Sequence, residues 1–350
     1  MTPPTSPQRP RPRTVRFASA LVSLVAVGSL VVAACGGGAA LPDEVQGSIA
    51  EATTTPTTAA PECTPEQAQQ SAVATYAPLD PMPEPGAMPA GSTMAEIVER
   101  GQLRVGVSGD TLLFGARDPL SGVIEGVDIA VLQLVARALF GEGGEDRIVY
   151  SVITYAQRLP ALEAGDVDLV AHTMTINCRR WLRIGFSSVY YQAGQKVLVK
   201  TDSGYDSVDD LVAAGARVCA PEGSTNIDEI EKREYAGIVV VPKPDITDCL
   251  VAMQQGRADA TTGDDTVLAG FAVQDPSVEL VGEAFTEEPY GIGASRDDVD
   301  LVQFVNGVLD RARTDGELDR IMRTWLVDTG ALDAADVPPV PAPDHSRPLP

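Results

Sequence analysis

The stretch 158–190, RLPALEAGDVDLVAHTMTINCRRWLRIGFSSVY, carries the reading of the whole chain. Val167, Leu169 and Val170 form a short apolar run of the kind that makes a buried strand, expected over 167–171. The run leads into Thr173, Thr175 and Asn177, and then Arg180. Hydroxyl and amide groups beside a guanidinium suit a small carboxylate, because the planar fork of arginine pairs both oxygens at once. A helix over 157–164, ended by Gly165, precedes the strand.

Outward from this stretch, strand and helix patterns alternate. Thr93-x-x-Glu96 reads as a capping box opening a helix that stops at Gly101. A strand over 103–107, an apolar helix over 128–140 and a strand over 148–153 lead into the stretch itself. A second series follows, with strands over 195–200, 216–220, 238–241 and 259–262. Helices are expected over 208–213, 224–235, 246–255 and 265–273, and a last helix over 302–325 is expected to break near Asp315-Gly316. Two α/β lobes with mainly parallel sheets follow from this alternation. Ligands of open sheets sit at the carboxyl ends of strands. Thr173, Ser224 and Asp264 all fall at such ends.

The chain termini read differently. Arg9, Arg11, Arg13 and Arg16 precede an apolar run that ends Val32-Ala33-Ala34-Cys35, which reads as an export signal over 1–34. Small residues directly before Cys35 resemble a bacterial lipoprotein cleavage box, with lipid on the Cys35 thiol; an uncleaved signal anchor is the alternative. Residues 35–92, rich in Pro, Thr, Ala and Gly, read as a flexible tether. The proline-rich tail over 330–350 reads as disordered.

The formal net charge of −23 becomes −27 when the four signal arginines are removed. That argues against a nucleic-acid partner. An acidic ligand would be repelled at long range, so its attraction has to come from a few local cations. Beyond Cys35 there are four cysteines, and export with an even number suggests two disulfides. Cys219 and Cys249 share one region and are expected to pair, leaving Cys63 for Cys178, although three connectivities are possible. With only His172 and His345 and no close Cys or His pair, neither a metal site nor a cofactor is expected. His172 alternates away from Thr173 and reads as a structural histidine.

Several short motifs then occur in order: 101–107 (GQLRVGV), 126–129 (GVDI), 165–169 (GDVDL), Thr175-Ile176-x-x-x-Arg180, 186–190 (FSSVY), Gly223-Ser224-Thr225 and 258–260 (ADA). Together they resemble the extracytoplasmic solute-binding proteins of family 3, the polar-amino-acid-binding components of ABC importers. The likeness is greatest to glutamate/aspartate/glutamine-binding lipoproteins of actinobacteria, and it spans about 93–326. The resemblance implies a two-lobed, Venus-flytrap fold of the periplasmic-binding-protein type II class. It also implies a first lobe from 93–196 plus 288–329 and a second over 197–287.

The resemblance further places Arg180 and Thr175 on the ligand α-carboxylate, Thr173 beside the amino acid, and Asp264 on the α-ammonium, with Asp265 as a competing assignment. Ser224 and Thr225 would meet a carboxylate or amide, although Ser224 also reads as an ordinary helix cap. Arg158 would take a side-chain carboxylate, which makes the ligand acidic. If Arg158 instead lies on a helix surface, glutamine or asparagine fits as well. Tyr155 would pack on the ligand or fill core. Ser108 and Thr111 stand where many members have a charged residue and an aromatic, which removes a usual lid. The implied protein is a monomeric, lipid-anchored binding protein on the outer face of the plasma membrane, delivering to an importer permease. A sensor closing onto a membrane signalling partner is the alternative. An enzyme such as a dehydratase on the same fold is disfavoured, because no nucleophile–base pair is present.

Overall fold

The computed structural model describes Cys63 and residues 72–350. The signal over 1–34, Cys35 and most of the linker lie outside the described residues. In chain order the strands are β1 (Leu103–Val107), β2 (Asp110–Thr111), β3 (Gly115–Arg117), β4 (Ile124–Glu125), β5 (Ile148–Val152), β6 (Leu169–Val170), β7 (Ile184–Phe186), β8 (Tyr191–Ala193), β9 (Gln195–Lys200), β10 (Arg217–Pro221), β11 (Val239–Lys243), β12 (Ala260–Asp264), β13 (Val278–Val281), β14 (Glu288–Tyr290) and β15 (Gly293–Ser295). One sheet has the order β5-β1-β6-β15-β7, and the second repeats the scheme as β11-β10-β12-β9-β13. β1 runs parallel to β5 and β6, and β10 runs parallel to β11 and β12. β15 and β9 each run antiparallel to both neighbours.

These antiparallel strands are the ones the chain enters on crossing between sheets. β8 leads into β9, and β14 leads back towards β15. The crossing strands pair with each other, Glu288 opposite Ala193 and Tyr290 opposite Tyr191. A two-stranded ribbon therefore joins two α/β lobes, a two-lobed type II binding-protein fold. Glu288 and Tyr290 therefore lie in the ribbon between the lobes.

Helix positions follow the hydrophobic spacing. The helix Val127–Phe140 buries Val127, Val131, Leu132, Val135 and Leu139 against the first sheet. The helix Val299–Thr314 buries Leu301, Val305, Val308, Leu309 and Ala312, a repeat of three and four residues. The expected break at Asp315-Gly316 is present, and Glu317–Met322 continues beyond it. The first helix is Thr93–Arg100, but its cap is Ser92 rather than Thr93: Ser92 Oγ accepts from Ala95 N at 3.1 Å. Thr93 Oγ1 is occupied elsewhere, donating to Asp300. The helix expected over 224–235 ends at Ile230, followed by a single tight turn over Arg233–Tyr235.

Two segments differ from their compositional reading. Residues 72–92 are not a free tether, and the tail is not detached from the fold. Thr75 N donates to Asp344 O at 2.8 Å, and Arg347 N donates to Thr75 O at 3.1 Å. Asn306 Nδ2 donates to Tyr76 O at 2.7 Å, and Trp181 Nε1 donates to Ala72 O at 2.8 Å. The Arg347 guanidinium lies 3.7 Å from the Trp181 ring centroid. Composition is blind to such long-range partners. Low apolar content argued for disorder, yet Ala74 and Tyr76 are buried in the first lobe.

Both expected disulfides are present, Cys63–Cys178 and Cys219–Cys249. The second ties β10 to the helix Ile246–Gln254 in the core of the second lobe. Replacing Cys219 and Cys249 together by alanine is expected to cost about 2–4 kcal/mol, read by denaturant unfolding. A thiol assay on unreduced protein starting after Cys35 should find no free cysteine. An unchanged midpoint in the double variant would show that this bridge adds nothing to stability.

Candidate ligand-binding site

The two arginines singled out from sequence meet at the junction of the lobes. Arg180 lies in the short helix Cys178–Trp181, whose cap Asn177 accepts from Arg180 N at 2.9 Å. Its guanidinium donates to Thr175 O at 2.6 Å and to Gly223 O at 3.2 Å. Arg158, only 1 % exposed, donates through Nε to Tyr155 O at 3.0 Å. Its Nη1 reaches His172 O at 3.0 Å and Thr173 O at 3.3 Å, and its Nη2 reaches Gly223 O at 3.0 Å. The ring of Tyr155 stacks 4.6 Å from the Arg158 guanidinium.

Gly223 O, in the second lobe, thus accepts from two guanidiniums of the first. Gly223 has φ +76°, and a Cβ there would stand 2.8 Å from Ala156 Cα. Only glycine permits this close approach between lobes.

Neither buried arginine belongs to an ion pair among the described residues. Carbonyl dipoles oppose the desolvation of these two like charges, helped by the nearby acids Asp264 and Asp128 for Arg158 and Glu288, Asp228 and Asp264 for Arg180. Burial, with Arg158 acting in the same direction, lowers the Arg180 pKa to about 9. Two buried guanidiniums thus share one acceptor, Gly223 O, at the junction of the lobes.

Thr173 carries two further costs. Its φ is +41°, in the left-handed region that favours glycine. Its hydroxyl is buried without a partner. The backbone is held there by Asp128, whose Oδ2 accepts from Thr173 N at 2.9 Å and whose Oδ1 accepts from Tyr190 Oη at 2.5 Å. Backbone strain and an unpartnered buried hydroxyl on one residue cluster at functional positions, which makes Thr173 a candidate. His172, next to it, places Nε2 3.0 Å from Ile153 O and packs edge-on against Tyr155. Burial, then Arg158, pushes its pKa down to about 3, so the ring is neutral and structural.

The acids come from the second lobe and the hinge. Asp264, the last residue of β12, accepts from Asn226 Nδ2 at 2.7 Å and from Tyr290 Oη. Burial, then the nearby Glu288, raises its pKa to about 7. Asp265 turns to its own helix, accepting from Thr266 N at 2.7 Å. Ser224 caps the helix Thr225–Ile230: Oγ accepts from Ile227 N at 3.1 Å and donates to Pro221 O at 2.7 Å. Its hydroxyl is fully used, whereas Thr225 faces Thr175 across the cleft with 3.2 Å between the hydroxyl oxygens.

Arg158, Arg180, Thr173, Thr175, Thr225, Asp264 and Tyr155 are thus drawn together. Asn226, Gly223, Tyr290, Asp128 and Glu288 belong to the same constellation and were not read from sequence as site residues. Glu288 was legible only as part of the chain's return between lobes.

Two lobes joined by a crossing ribbon, with two buried guanidiniums and a buried acid at their junction, give the two-lobed architecture of cleft-type solute-binding proteins. The family model for bacterial extracellular solute-binding proteins, family 3, matches residues 103–328, and the chain belongs to that family. It is 35% identical to the ABC transporter glutamine-binding protein GlnH of Bacillus subtilis (strain 168) over 235 residues, 67% of this chain and 84% of the relative. It is 29% identical to the glutamate-binding protein GluB of Corynebacterium efficiens over 240 residues, 66% of this chain and 81% of the relative. The holo form of ArgBP from T. maritima superposes with a TM-score of 0.59 at 31% identity, covering 66% of this chain and 99% of that one. Among the described residues no helix is long and apolar enough to cross a membrane.

Proposed function

We propose that the chain captures a polar amino acid outside the cell, an acidic one such as glutamate or aspartate, and delivers it to an ABC importer. The observation that carries this reading is the pair of buried guanidiniums, Arg158 and Arg180, with no carboxylate partner among the described residues. Arg180, Thr175 and Thr225 take the α-carboxylate, Asp264 takes the α-ammonium, Thr173 and Tyr155 line the amino acid, and Arg158 takes a side-chain carboxylate. Ser224 contributes by capping the helix that presents Thr225. Lipid on Cys35 holds the protein at the outer face of the membrane. Relatives named for glutamine and glutamate support a polar amino acid of this size.

One observation favours an amide side chain instead. Arg158 makes four contacts to carbonyl oxygens, which leaves little donor capacity, whereas Arg180 makes two. A glutamine carbonyl needs one donor where a carboxylate uses two.

A thermal-shift screen against the twenty amino acids separates the readings, since a ligand of the folded state raises the melting temperature. Glutamate or aspartate is expected to give the largest shift. The variant Arg158→Ala should lose acidic ligands at least tenfold more than amide ones, and equal losses would move the assignment to glutamine. A shift by none of the twenty would remove the amino-acid reading altogether.

A further inference from the structure

Glu288 has the contacts expected of a ligand rather than of a hinge residue. It is 3 % exposed at the start of β14. Its Oε2 accepts from Thr175 Oγ1 at 2.6 Å and from Thr225 Oγ1 at 2.7 Å. Its Oε1 accepts from Thr286 Oγ1 at 2.6 Å. Thr175 belongs to the first lobe and Thr225 to the second, so one carboxylate oxygen joins hydroxyls from both lobes. Each threonine hydroxyl carries a single proton. With both protons directed at Glu288, these hydroxyls offer only lone pairs to any other group. They are the hydroxyls assigned above to the ligand α-carboxylate, and two anions cannot hold them together.

We propose that Glu288 is an internal competitor for the ligand carboxylate. It occupies the hydroxyl pair of Thr175 and Thr225, one from each lobe, and so latches the lobes together. An incoming amino acid must displace it, so Glu288 sets affinity without touching the ligand favourably. The inference rests on the assignment of Arg180, Thr175 and Thr225 to the α-carboxylate.

Removing the competitor frees both donors and takes a negative charge from the anion site. Calorimetry with L-glutamate and L-glutamine is the direct test, on wild type, Glu288→Ala, Glu288→Gln and Arg180→Ala. Glu288→Ala is expected to bind about tenfold more tightly than wild type. Its ligand-free form should also be more open, read as a larger radius of gyration by small-angle scattering. Glu288→Gln keeps the shape and loses the charge, so it should shift affinity in the same direction if the alanine variant fails to fold. Equal or weaker binding in both Glu288 variants would overturn the proposal and leave Glu288 as a hinge brace. Wild-type affinity surviving in Arg180→Ala would overturn the carboxylate assignment instead, and the competitor role with it.

Discussion

Arg180→Ala is expected to lower amino-acid affinity by about a thousandfold while leaving the ligand-free protein folded. Truncating one partner of a buried, hydrogen-bonded charge pair costs about 3–5 kcal/mol, because the other charge stays buried and unpaired. Here the stranded charge would be the ligand α-carboxylate. The same reasoning predicts little harm to the empty protein. Arg180 has no carboxylate partner among the described residues, and its contacts to Thr175 O and Gly223 O only offset its own desolvation. The ligand-free melting temperature of the variant should therefore match or exceed that of wild type. Arg180→Lys separates charge from shape, since an ammonium keeps the charge and loses the planar fork; it should recover part of the affinity. Calorimetry paired with a thermal melt checks both halves. An Arg180→Ala protein that unfolds would show that the residue holds the lobe together rather than the ligand.

The lobes and their alternation were legible because local sequence encodes them. The 3.6-residue spacing of Val127, Val131, Leu132 and Val135 announces a helix whatever its neighbours do. Thr173, Ser224 and Asp264 stand where strands end, and strand ends are where open sheets bind. Other features depend on partners more than a hundred residues away. β7, β14 and β15 are three residues each, too short to show periodicity, and exist because of the strands beside them. Residues 72–77 carry only small apolar groups beside Thr75 and Tyr76, residues 344–347 are polar, and their mutual pairing together with Asn306 and Trp181 orders them. Glu288 sits in an acidic dipeptide that reads as the chain's return between lobes. Its burial follows from three threonine donors, Thr175, Thr225 and Thr286, two of them distant in sequence. Arg158 was legible as a cleft residue but not as one whose donors are largely spent on Tyr155, His172, Thr173 and Gly223 carbonyls.

Binding is expected to release about one proton near pH 6, and affinity to fall roughly tenfold per pH unit from 7 to 5, because of Asp264. Its pKa is raised to about 7, first by burial and then by Glu288, while Tyr290 and Asn226 oppose the shift by donating to it. A raised carboxylate pKa means the folded protein prefers the protonated form. The ionised group therefore subtracts from ligand-free stability as pH rises from about 4, the unfolded value, through 7. A ligand ammonium reverses the preference, since it pairs with the carboxylate and not with the acid. Below about pH 7 binding must expel the proton, and above it no proton is exchanged. Asp128, raised to about 6 by burial, ionises in the same range, but it meets Thr173 N and Tyr190 rather than the ammonium site. Asp264→Asn isolates the effect: it should bind at least a hundredfold more weakly at pH 8 and show no proton release. Calorimetry in buffers of different ionisation enthalpy counts the proton directly. Wild-type and Asp264→Asn profiles that fall in parallel would place the titration elsewhere and take the ammonium away from Asp264.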